Sequence, residues 1–250
     1  MNRRDALKAL AGLAFGPRGP SAAFGAERAH WNYEGEEGPA HWGDIDAASA
    51  ICSAGAQQSP IDIVSPVKAT LPRLQMSWAR TSDTIANNGH TIELAVGPGS
   101  WLAIGNSRYT FVQFHFHHPS EHRIGGRSFP MEAHFVHQND TGNLAVVGVL
   151  MTSGRSNEVF GRIVAAMPVP EGPPMKAPPA IDPNALLPSP RRYYRYEGSL
   201  TTPPCTETVD WLLLREPLPV ATPDIEAFAR LFPMNARPAQ KLNRRFVLTS

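Results

Sequence analysis

Cysteine, net charge and long apolar runs are all scarce in this chain. Two cysteines, Cys52 and Cys205, are the full complement in 250 residues. A structural metal site with four protein ligands, usually rich in cysteine, is therefore not expected here. The formal net charge is +1, which argues against nucleic acid or an acidic membrane surface as a partner. Past the N-terminal stretch, nothing approaches the ~20 apolar residues of a membrane span. There is no internal repeat, and helical signals are few. What remains is 42% hydrophobic residues, enough for one large core.

Histidine is the residue out of proportion. The chain has nine, and six lie between His115 and His137. On a strand, side chains alternate faces with period two. In "QFHFHHPSEH", Gln113, His115 and His117 therefore share one face, and Phe114 and Phe116 take the other. "MEAHFVHQ" repeats the pattern, with Glu132, His134 and Val136 opposite Ala133 and Phe135. "GGRSFP" joins the runs with hairpin-like turn chemistry. Antiparallel pairing would bring His134 beside His115 and His117. Three neutral imidazoles with one open position describe a catalytic zinc site. Gln113 and Glu132 are placed to receive the outward N–H of a ligand ring and so fix its tautomer. By the same alternation His118 faces away.

The rest of the body also reads as β. Strand patterns fall at "TIELAV", "SRYTFVQFHFH", "LAVVGVLM" and "ETVDWLLLREPL", with turns at "NNGH", "GPGS" and "NDTGN" between them. Helices are expected at "SNEVFGRIVAAMP", with Ser156 as its cap, and at "TPDIEAFARLFP". The proline-rich stretch from Pro168 to Pro190 reads as a loop inside one domain. Residues 1–26, "MNRRDALKALAGLAFGPRGPSAAFGA", read as an export signal. Arg3 and Arg4 favour the twin-arginine route over the general secretory one, with cleavage after Ala23 or Ala26. Export favours one disulfide between the two cysteines, two buried free thiols being the alternative.

Two other readings compete with a catalytic zinc enzyme. A cupin also uses His-x-His followed by Glu. It wants glycine where this chain has Tyr109, and Pro-x-Gly-x-x-His where this chain has "PMEAH". A non-catalytic zinc or carbohydrate-binding module would keep the β scaffold without an open coordination position.

The motifs "HWNYEGEEGPAHWG", "QQSPIDI", "NNGH", "QFHFHHPSEH", "MEAHFVH", "LAVVGVL", "YEGSLTTPPCTETVDW" and "MNARPAQKLN" follow one another from His30 to Val247. In this the sequence resembles the α-class carbonic anhydrases of the bacterial exported kind. The resemblance implies a catalytic domain over residues 27–250. Its fold would be mostly β, a large, predominantly antiparallel twisted sheet with short peripheral helices. It implies zinc as cofactor, held by His115, His117 and His134, and CO2 and bicarbonate as substrates. Zinc-bound hydroxide would attack CO2, the bound water having a pKa of about 7, a value known for this family's own zinc site.

Residue by residue, Thr201 would accept from the hydroxide and donate to Glu121, which as a carboxylate can only accept. Thr202 would be a polar contact. Val136, Val146, Leu200, Val209 and Trp211 would form the apolar wall beside the metal. His90 would shuttle the proton to solvent. A Cys52–Cys205 disulfide, cis bonds at Ser59-Pro60 and Pro203-Pro204, and a periplasmic location follow from the same resemblance, which leaves a homodimer open. Ala236 departs from the tryptophan often found in animal relatives, which bears on packing and not on chemistry.

Overall fold

The computed structural model describes residues 30–250. The expected export signal lies outside the described residues. A twelve-stranded sheet organises the rest. Its centre runs, in spatial order, through strands Ser82–Asn87, Ile92–Val96, Ser107–His117, Met131–Gln138, Leu144–Ser153, Val209–Val220 and Tyr193–Gly198. Most neighbours are antiparallel. The exceptions are Leu144–Ser153 beside Val209–Val220, and the edge pair Leu248–Thr249 beside Val67–Lys68. The sheet is therefore mixed, though predominantly antiparallel as expected.

Strand composition follows position. "LAVVGVLM" is buried along its whole length, as a central strand covered on both faces requires. Alternation then sorts side chains between two cores. Phe114, Phe116, Ala133, Phe135 and Val147 join one. Val136, Val146, Trp211 and Leu213, on the opposite face, join the other with Ile61 and Ile63. Helices Glu158–Ala166 and Thr222–Leu231 cover the first core with Phe160, Ile163, Ile225 and Phe228. No helix of the described residues is long and apolar enough to cross a membrane.

Local expectations fared unevenly. The first helix is capped by Asn157, not Ser156. The Asn157 side chain accepts from Phe160 N at 3.0 Å, the separation an N-cap needs, and Ser156 lies one residue too early. The histidine strands are not joined by a tight hairpin. Residues 118–130 make an excursion in which Arg123–Ile124 pairs in parallel with Asp62–Ile63. The proline-rich stretch, expected to be a loop, also contributes one short edge strand. Met175–Lys176 pairs with Ile85 and Thr84, and Ile181 and Leu186 are buried.

Cys52 and Cys205 form a disulfide with Cα atoms 5.0 Å apart, buried against Trp42. Ser59-Pro60 and Pro203-Pro204 are cis, as are His118-Pro119 and Ser189-Pro190.

Candidate metal centre

The register of three strands builds the site. His115 pairs with His134 and His117 with Glu132 across one antiparallel ladder, while Glu93 pairs with His115 on the other side. Phe114 and Phe116 are fully buried on the reverse face, which locks the alternation. The ring centres of His115, His117 and His134 stand 5.0, 5.3 and 4.5 Å apart. One nitrogen from each lies within 4.8 Å of the others.

Each ring is fixed by a different partner. His115 Nδ1 donates to Gln113 Oε1 at 2.8 Å, and His134 Nε2 donates to Glu132 Oε1 at 2.9 Å. His117 Nδ1 donates to the backbone carbonyl of Asn235 at 2.7 Å. A carbonyl or carboxylate oxygen can only accept, so these nitrogens carry the protons. The lone pairs of His115 Nε2, His117 Nε2 and His134 Nδ1 are left to converge. His117 Nε2 is buried with no hydrogen-bond partner among the described residues. Burial pushes the His115 imidazole well below its ordinary pKa, and neighbouring His117 and His134 add to this. Burial lowers His117 as well. Neutral, tautomer-locked rings with a buried lone pair suit a zinc ion.

Behind the rings runs a polar chain that the sequence patterns did not reveal. Glu132 also accepts from His122 Nδ1 at 2.7 Å and from His122 N at 2.8 Å. Burial opposes its charge, yet His122 and His134 hold the carboxyl well below the usual range. His122 Nε2 meets the Tyr196 hydroxyl at 2.6 Å, and that hydroxyl reaches Ser59 Oγ at 3.0 Å. His118 points elsewhere, as alternation implied, with its Nδ1 on the Pro233 carbonyl at 3.0 Å.

A cavity of about 90 Å³ opens over the three rings. Val136, Val146, Leu200 and Trp211 form its apolar side, and Thr201 and Thr202 line the loop beside them. Val209 belongs to the same apolar cluster but lies outside this lining. It shares a strand face with Trp211 but sits two residues further along, about 7 Å away.

Thr201 is buried in a loop closed by Leu200 N to Thr206 O at 3.1 Å and Cys205 N to Thr202 O at 2.9 Å. The expected Thr201–Glu121 hydrogen bond is not formed. Glu121 Oε1 accepts from Arg237 N at 2.8 Å. Its Oε2 is buried without a hydrogen-bond partner among the described residues and faces the imidazoles instead, 3.6 Å from His117 Nε2 and 3.8 Å from His134 Nδ1.

Arg237, unsuspected from the sequence, holds this corner together. Its guanidinium donates to Gln58 Oε1, Ser59 O and Cys52 O, all within 2.9 Å.

His90 lies at the cavity rim, half-buried and stacked on Trp31 at 3.7 Å between ring centres. Burial lowers its pKa, Glu171 opposes that, and His30 adds to it. Glu93, given no role from the sequence, also lines the cavity, and burial pushes its carboxyl up to about 7.

Fold and site together define a β-sheet protein with a three-histidine cluster able to hold a metal ion, under a largely apolar cavity. The model of the family described as eukaryotic-type carbonic anhydrase matches residues 37–250. A carbonic anhydrase of Neisseria gonorrhoeae is 40% identical over 248 residues, covering 98% of this chain and 96% of that protein. One from Pectobacterium carotovorum is 39% identical over 91% of this chain and 93% of that protein. The α-carbonic anhydrase of Thermovibrio ammonificans, solved with the inhibitor sulfanilamide, superposes with a TM-score of 0.86 at 42% identity. That match covers 88% of this chain and 99% of that one. The chain belongs to the α-carbonic anhydrase family, whose members are lyases that hydrate carbon dioxide.

Proposed function

We propose that this protein is a zinc-dependent carbonic anhydrase that interconverts CO2 and water with bicarbonate and a proton. The observation that carries the reading is the unpartnered, buried Nε2 of His117, converging with the free nitrogens of His115 and His134 under the cavity. These three rings would hold the metal. Zinc, when bound, supplies the Lewis acidity that lets water ionise near neutral pH, as is known for this family.

The chain's own residues do the rest. Gln113, Glu132 and Asn235 keep each ring in the tautomer that offers a lone pair. Thr201 orients the attacking oxygen by accepting one hydrogen bond and donating another. The unpartnered Oε2 of Glu121 stays turned toward His117 and His134. Val136, Val146, Leu200 and Trp211 seat CO2, which carries no charge and gains nothing from polar walls, and keep water off that side. Thr202 gives the departing bicarbonate a polar contact. His90, at the cavity rim, takes up the proton released in the reaction and passes it to solvent.

The disulfide supports export to an oxidising compartment, and we read residues 1–26 as the signal removed on the way to the periplasm. Stopped-flow CO2 hydration on a sample of measured metal content tests the whole reading. Zinc near one equivalent with rapid hydration is the expected result. Zinc without hydration would make the site a binding module, and iron or manganese with oxygen uptake would make it an oxygenase.

A further inference from the structure

The turn that carries His90 is tied to the proline-rich stretch. Asn87 Nδ2 donates to the carbonyls of Pro168 and Val169 at 3.2 and 2.8 Å, and Gly172 N donates to Asn87 O at 3.0 Å. On the turn itself, Gly89 N reaches Asn87 Oδ1 at 3.0 Å, while His90 N and Thr91 N reach Asn88 Oδ1 at 3.0 and 2.9 Å. The Asn87 side chain and one backbone hydrogen bond therefore tie the two segments together. Glu171 lies between these ties. Its carboxylate passes so close over Gly89 that a Cβ there would sit 2.9 Å from Oε2. Gly89 also has φ +86, so the position wants glycine on both counts.

We propose that Glu171 is a positioning residue for proton transfer: lying over Gly89, its exposed carboxylate stabilises the imidazolium formed when the neighbouring His90 accepts a proton. The proposal rests on the reading of His90 as the proton carrier. His90 faces few other charges. His30, from the N-terminal segment, opposes a positive ring but is itself 3.0 Å from Glu37. Glu93 lines the same cavity from the neighbouring strand. Trp31, stacked on the ring, and Asn235, which donates to the His90 carbonyl, are uncharged. Half-burial works against the charged ring, and Glu171 is the anion placed to offset it.

The test is the His90 Hε1 resonance followed against pH by NMR in the zinc-loaded protein, for the natural chain and for Glu171→Gln, Glu171→Asp and Glu171→Lys. The His90 midpoint should fall by roughly 0.2–0.7 pH unit in Glu171→Gln. It should fall further in Glu171→Lys and stay near its natural value in Glu171→Asp. At 1 M salt, where the screening length is about 3 Å, the differences should largely vanish. In weak buffer kcat should drop in the same order, with kcat/KM unchanged. Equal midpoints in all four proteins, or a shift indifferent to charge and salt, would overturn the role of Glu171. His90→Ala separates the underlying reading. If that variant keeps full kcat in weak buffer, the shuttle itself is wrong, whatever the NMR titration gives.

Discussion

His137 is a histidine that the site does not use, and it makes the fold sensitive to acid. It follows His134 by three residues but points to the other face, into the main core. There it stacks on Phe111 at 4.6 Å and lies 5.4 Å from Trp78. Its Nε2 is buried with no hydrogen-bond partner among the described residues, and its Nδ1 has only a long contact, 3.3 Å, to Ala145 O.

Burial pushes its pKa down to about 3, from 6.5 in the unfolded chain. The unfolded state therefore binds the proton first. Above pH 6.5 neither state is protonated and stability is complete. Below it, stability is lost until about pH 3. At 1.36 kcal/mol per unit, the full loss is roughly 5 kcal/mol, of which about 2 kcal/mol has gone by pH 5.

Urea unfolding of the natural protein and of His137→Leu, at pH 8 and pH 5 and equal metal content, isolates this contribution. Contributions from the rest of the molecule are common to both proteins and cancel. Near pH 8 the two should differ by about 1 kcal/mol or less, because the imidazole forgoes one hydrogen bond and makes the other poorly. At pH 5 the leucine variant should have gained about 2 kcal/mol on the natural chain. Parallel pH dependence in the two proteins would refute the reasoning.

Removing the Cys52–Cys205 bridge, which spans 153 residues, should cost roughly 5 kcal/mol by chain entropy, read as a lower urea midpoint in the double serine variant. Unchanged midpoints would mean that the unfolded chain is already constrained. His115→Ala or His134→Ala should lose most of the bound zinc by metal analysis, whereas His118→Ala, whose ring is turned to Pro233, should keep it. Zinc lost from His118→Ala but kept by His117→Ala would mean the strand register is wrong. His90→Ala should slow kcat while leaving kcat/KM for CO2 nearly unchanged, and concentrated imidazole buffer should restore part of the loss. A fall in kcat/KM that buffer does not repair would make His90 structural.

Strands with a buried and a chemical face were legible, because alternating phenylalanine and histidine leave one register open. Ser107–His117 and Met131–Gln138 begin and end where the pattern does. Very short strands such as Val67–Lys68 and Leu248–Thr249 were not, since two residues carry no period. The same limit runs through the site. Gln113 and Glu132 were found because they stand two residues from a ligand on the same face. The partner of His117 is a main-chain carbonyl 118 residues away, and a backbone group leaves no mark in residue type. Arg237 was hidden for a related reason, because its value lies in four acceptors from distant segments. The neighbour of Glu121 was expected from the family resemblance, and the structure puts imidazoles there instead.

Asn235 and Arg237 impose an order on biogenesis. The three histidines lie on strands Ser107–His117 and Met131–Gln138, which are synthesised before residues 235–237. His117 gains its fixed tautomer, and Glu121 its anchor, only when residues 235–237 have been made and threaded back to the sheet. Until then two of the inward-facing groups are free to turn. A nascent chain stopped before Asn235 would carry all three histidines and still lack a competent metal site. Assembly of the site thus waits on a segment that follows His117 by 118 residues.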